Sequence, residues 1–157
     1  MTSAKPGSDR KAGRSNSRSS RRRAREFAVQ GLYQWLVATT AVEAIEKHLA
    51  DTPGFEKIDL EYFRTLLRGV ITSQIALESA LTPYLDRPIG ELSPIERGIL
   101  LLAGFELRQQ LDVPYRVVIN EAVELAKTFG GTEGHKYVNG VLDKLATVFR
   151  SVETGGR

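Results

Sequence analysis

Apolar residues recur along this chain at three- and four-residue spacing, and no segment sustains the strict alternation of a half-buried strand. Beginning at Ser20, the positions Ala24, Phe27, Ala28, Leu32, Trp35 and Leu36 set a first helix. Thr40-Ala41-Val42-Glu43 reads as a capping box ahead of a second, with Ile45 and Leu49 on its apolar face and Pro53-Gly54 ending it. Asp59 is placed to cap a third, whose stripe is Leu60, Phe63, Leu67, Val70, Ile71 and Gln74. Pro83 and Pro88 enclose one short turn around Tyr84 and Leu85. Ser93-Pro94-Ile95-Glu96 joins a capping hydroxyl, a proline at the first helical position and a reciprocating glutamate, and it predicts a long apolar helix to about Gln110. Asp112-Val113-Pro114 interrupts that helix, and Val118, Ile119, Ala122, Leu125 and Ala126 set the next, closed by Gly130-Gly131. A last helix runs from about Thr132 to Phe149 and turns Tyr137, Val138, Val141, Leu142, Leu145 and Phe149 inward. The pattern predicts an all-α helical bundle of about seven helices, six long and one short, without a fixed-period repeat.

Ahead of Ser20 the stripe is missing. Residues 1–17 are rich in Gly, Ser, Asn, Lys and Arg, with little apolar surface to offset ordering entropy, so residues 1–19 read as a disordered basic arm, 20–150 as the folded domain and 151–157 as a disordered tail. Charge sharpens this division. The formal net charge is only +3, yet residues 1–25 hold nine basic side chains and one acid, giving +8 and leaving −5 on the remainder. A basic arm on a mildly acidic body points to a polyanion met at one end, with nucleic acid the first candidate and a solubilising tail the alternative. With no cysteine and two histidines, a thiolate nucleophile, a zinc ribbon and a His-rich metal site are all excluded, and neither metal nor cofactor is expected. The longest apolar run, Ile99 to Phe105, is far short of a bilayer span, and the first twenty residues are too polar for a targeting helix.

Arg21, Arg22, Arg23 and Arg25 stand at the start of the first helix, where cations oppose the helix dipole, so local helix stability does not explain them. A bound polyanion does. Gln30 and Tyr33 lie two to three turns further on, and arginines for phosphates beside an aromatic for stacking suit a single-stranded RNA. From its spacing alone Tyr33 is as readily a core aromatic with a wet hydroxyl. Gly130 to Lys136 is not a P-loop; its glycines suit either a phosphate-facing helix start or a plain helix cap. No nucleophile stands on a strained turn near His135, and carboxylate pairs such as Glu121 with Glu124 are read as solvated faces, so no enzyme is expected.

Three segments together resemble the NusB family of bacterial transcription antitermination factors: RRRAREFAVQGLYQW from Arg21, LSPIERGILLLAGFEL from Leu92 and DVPYRVVINEAVELAKTFGGTEGHKYVNGVLDKL from Asp112. The resemblance covers about residues 20 to 150 and implies two antiparallel helical subdomains in a cytoplasmic protein. It also implies binding of single-stranded boxA RNA together with NusE, a ribosomal protein, and entry of the pair into the RNA polymerase antitermination complex on ribosomal RNA operons. By position, Arg21, Arg22, Arg23 and Arg25 match the family's arginine-rich RNA motif and Tyr33 its first-helix aromatic. Glu133, Lys136, Tyr137 and Asn139 match a second RNA-contacting segment, while Glu96, with Arg97 beside it, falls where NusE is expected. The resemblance leaves open a homodimer of the free protein. Thr132-Glu133-Gly134 departs from the family's usual acidic pair and serine, which bears on RNA preference. Two rival readings stand beside this one, a scaffold that binds only protein and a helix-turn-helix DNA binder.

Overall fold

The computed structural model describes residues 6–131 and 133–155, with side chains from Arg18 onward. Seven α-helices occur among them: α1 (Pro6–Ala38), α2 (Val42–Ala50), α3 (Leu60–Thr72), α4 (Gln74–Leu81), α5 (Pro94–Gln109), α6 (Tyr115–Phe129) and α7 (Gly134–Phe149). Short 3₁₀ turns cover Phe55–Lys57, Thr82–Tyr84 and Ile89–Glu91, and no strand is present among the described residues. The predicted all-α bundle is therefore what forms.

Helix α5 organises it. Every residue from Gly98 to Leu107 is buried, the mark of a helix apolar on all sides and enclosed by others. It touches α1, α3 and α4 on one side and α6 and α7 on the other, while α1 packs on α2 and α3, and α6 on α7. Two helical groups thus share α5 and one continuous core. Close approach between α3 and α5 depends on Gly69, since a Cβ there would lie 2.3 Å from the Phe105 ring. Two caps form as the sequence predicts: the Asp59 carboxylate accepts from the Tyr62 amide at 3.0 Å, and the Ser93 hydroxyl from the Glu96 amide at 3.1 Å.

Several boundaries differ from expectation. Helix α1 is drawn from Pro6, upstream of Ser20 where its apolar stripe begins, and residues 1–5 lie outside the described residues. Once the packed part of α1 exists, extending it upstream needs no new nucleation. The Thr40 capping box does not form. Thr39 takes a positive φ of 55° directly after α1, Ala41 is extended, and α2 starts at Val42 with no side-chain cap. The third predicted helix is two, broken at Ser73 (φ −101°, ψ 11°). Thr72 and Ser73 are weak helix formers whose hydroxyls compete for backbone groups. Beyond the break Ile75 is 85% exposed, and Leu60, expected on the buried stripe, is also exposed.

The tail after α7 is not free either. Ser151 to Gly155 form a turn, and the Glu153 carboxylate accepts from the Tyr115 amide at 3.1 Å and pairs with Arg150. These donors, the Tyr115 amide foremost, hold the Glu153 carboxyl below its usual range. Gly156 and Arg157, the end of the tail expected to be disordered, lie outside the described residues. Arg150 itself is buried and donates to four backbone carbonyls, those of Glu106, Leu107, Gln110 and Val113. It thereby caps the C-terminus of α5 from another helix, where free carbonyls and the helix dipole both favour a cation.

Candidate nucleic-acid interface

The basic run occupies the stretch of α1 that faces α6. Arg22 and Tyr33 are eleven residues apart, three helical turns, so they share one face about 16 Å from end to end, with Glu26 and Gln30 between. Tyr33 is 42% exposed, which favours the solvent-facing aromatic over the core one. Gln30 is half-buried, and its side-chain amide donates to the Glu26 carbonyl at 3.4 Å. Arg18 and Arg23 are exposed and hold no ion pair among the described residues. Arg21 lies over the Tyr62 ring at 4.3 Å and makes only long ion pairs, 3.8 Å to Asp59 and 3.9 Å to Asp112. Arg18, Ser19, Arg21, Arg22, Arg25, Val117 and Glu121 line an open groove of about 440 Å³.

Arg25 departs from the expected role. It is only 5% exposed, and its Nε and Nη2 bind the carboxylate of Glu106, itself 1% exposed, through three contacts of 2.9–3.1 Å. The Tyr62 hydroxyl donates to the same carboxylate. Burial, and then the Glu106 charge, raise the Tyr62 hydroxyl well above the usual phenol range, so it remains a protonated donor. A guanidinium so enclosed offers little surface to a phosphate, which argues against Arg25 as a direct contact. Sequence reasoning missed Glu106 because an acid eighty-one residues away, inside an apolar run, carries no local signal of its partner.

Arg22 is held differently. Its Nε and Nη2 donate to the two oxygens of Glu121 at 3.1 and 2.7 Å, and this bond, with the Glu121 charge, raises the Arg22 pKa. Glu121, read from sequence as part of a solvated face, is a partner of the arginine motif.

The second segment gathers at the start of α7. Glu133 and Lys136 pair at 2.9 Å in full view of solvent. Tyr137 is half-buried against the core; its hydroxyl accepts from the Asp86 amide at 3.2 Å, and the Arg87 guanidinium lies 5.6 Å from its ring centre. One ring face is therefore partly covered. Asn139 is exposed in a groove of about 310 Å³ with Tyr115, Arg116, Ile119, Asn120 and Asp143. Gly130 caps α6, its amide donating to the Ala126 carbonyl at 2.8 Å, so the cap reading accounts for that glycine; Thr132 lies outside the described residues. Glu96 sits against the start of α7, since a Cβ on Gly134 would meet its Oε2 at 2.7 Å. The surface expected to face NusE thus adjoins the start of α7, the second segment expected to contact RNA, although Arg97 is engaged by Glu78 of α4 at 2.6 Å. Helix α6 lies between the two segments expected to contact RNA, with Glu121 toward α1 and Asn120 beside Asn139. Among the described residues, no cluster of His, Cys, Asp and Glu suits a metal ion, and no helix is long and apolar enough to cross a membrane.

An all-α domain with a basic first helix and a polar groove between its last two is the class of molecule this geometry defines. Residues 22–147 match the NusB family. The transcription antitermination protein NusB of Ralstonia pickettii (strain 12J) is 59% identical over 140 residues, covering 89% of this chain and 90% of that one. Its counterpart in Aromatoleum aromaticum is 54% identical over 88% of this chain and 95% of that one. The chain therefore belongs to the NusB family, whose relatives carry the name of transcription antitermination proteins. Among solved structures, T. maritima NusB shares the fold at a TM-score of 0.72, with 30% identity over 80% of this chain and 89% of that one. A complex titled as antitermination factors NusB and NusE with double-stranded RNA shares it at 0.71, with 24% identity over 81% and 96%.

Proposed function

We propose that this protein is a cytoplasmic, non-enzymatic adaptor of transcription antitermination. It binds boxA RNA together with NusE, and the pair joins the RNA polymerase complex on ribosomal RNA operons. The observation that carries this reading is the face of α1, where Arg18, Arg22 and Arg23 are exposed to solvent on the approach to an exposed Tyr33. Cations followed by a free aromatic face fit phosphates followed by an unstacked base. Arg21, Arg22 and Arg23 are the phosphate contacts of this proposal and Tyr33 the stacking platform, with Gln30 between them. Lys136, Tyr137 and Asn139 form the second contact, with Glu133 holding Lys136. Glu96 and Arg97 mark the NusE-facing surface of this proposal. The RNA-binding unit of this proposal is the helical domain over residues 20–150, with Arg18 just upstream on the same helix.

Tyr33→Ala tests the stacking role. RNA affinity should fall by about 1–3 kcal/mol, the usual worth of one stacked base. Helix content by circular dichroism should be unchanged, because Tyr33 belongs neither to the core nor to the side chains packed against it. A loss under about twofold removes Tyr33 from the interface.

A further inference from the structure

Glu121 is the one carboxylate among the described residues that line the arginine groove. By charge alone it is misplaced, since an acid weakens any site for phosphate. Its position suggests a different role. The Arg22 side chain is 55% exposed and that of Glu121 only 14%, so the carboxylate lies beneath the guanidinium and not in front of it. Its oxygens take Nε and Nη2 side-on, which leaves Nη1 and the outer hydrogen of Nη2 for an incoming anion. The same Oε1 is 3.5 Å from Nη1 of Arg25, and Arg25 is clamped on Glu106. Glu106, Arg25, Glu121 and Arg22 thus form a ladder of alternating charge from core to surface. Each member fixes the next, and the flexible outermost side chain is held in one orientation.

We propose that Glu121 is a positioning residue for phosphate capture, orienting Arg22 so that the outer edge of its fork faces the backbone of a bound RNA. Arg25, matched by position to the RNA motif, acts through this ladder and not by contact. The inference rests on the RNA-binding reading above. An arginine already ordered loses less side-chain entropy on binding. Repulsion between Glu121 and the phosphate is small, because Arg22 stands between them and solvent screens the remainder.

The two views of Glu121 predict opposite signs. Glu121→Ala removes a negative charge, so charge alone calls for tighter binding of boxA-like single-stranded RNA at fixed salt. Positioning calls for binding weaker by about three- to tenfold, with Glu121→Gln in between because its amide oxygen still accepts one N–H. In an Arg22→Ala background, Glu121→Ala should change affinity by less than about twofold, as nothing is left to orient. Unchanged or tighter binding by Glu121→Ala overturns the proposal while RNA binding stands, and so does an equal loss in both backgrounds, the signature of a merely structural role. If the unaltered chain itself fails to bind the RNA, the functional reading beneath has failed instead.

Discussion

Arg25→Ala is expected to lower the free energy of unfolding by about 3–5 kcal/mol, whereas Arg22→Ala, three residues away in the same basic run, should cost under about 1 kcal/mol. The difference follows from burial. Removing Arg25 leaves the Glu106 carboxylate inside an apolar helix with only the Tyr62 hydroxyl and no balancing cation among its hydrogen-bond partners. The Arg22 side chain is more than half exposed, and when it is removed the Glu121 carboxylate keeps Arg25 nearby and takes water in place of Arg22. Urea titrations of the two variants measure both numbers. Removing the stranded acid as well, in an Arg25→Ala/Glu106→Ala double variant, should recover part of the loss, since breaking a buried pair costs more than its absence. If Arg25→Ala keeps stability within about 1 kcal/mol yet abolishes RNA binding, Arg25 returns to the contact set.

Arg150→Ala is the second large effect expected, a loss of about 3 kcal/mol. It follows from several charge-assisted hydrogen bonds and the carbonyls left unsatisfied behind them. Those carbonyls close α5 and the turn before α6, so amide hydrogen exchange should speed up first around Gln110 to Val113. Arg150→Lys should recover only part, because an ammonium lacks the planar fork that reaches several carbonyls at once. A variant as stable as the parent would mean that water satisfies these carbonyls equally well and that the tail is not fastened through this residue.

Both residues show where sequence ceases to be informative. The caps at Asp59 and Ser93 were legible because each is a local exchange between a side chain and an amide three residues on. Thr40 to Glu43 offered the same spacing, but the backbone at Thr39 decided the matter. The split at Ser73 was hidden because no glycine or proline marks it. In the candidate site, Tyr33 and Arg21 to Arg23 were legible as residue types at helical spacing with no local use. Arg25 was not separable from them, since its difference lies in Glu106 and Tyr62, far along the chain. Glu121 was invisible for the same reason, as acids on a helix face look alike until a neighbouring helix is placed.

The arginine face of α1 is expected to bind single-stranded RNA, with a base sequence read beside it. Titrating boxA-like RNA, scrambled RNA, duplex RNA and duplex DNA over a range of salt, with and without NusE, tests it most directly. If four to six phosphates are engaged, the slope of log K against log salt should lie between about −3 and −4, with boxA RNA preferred and the preference growing when NusE is present. The triple variant Arg21→Ala/Arg22→Ala/Arg23→Ala should flatten that slope by about two units. Equal affinity for all four nucleic acids, or an unchanged slope in the triple variant, would mean that this face does not bind single-stranded RNA through its arginines.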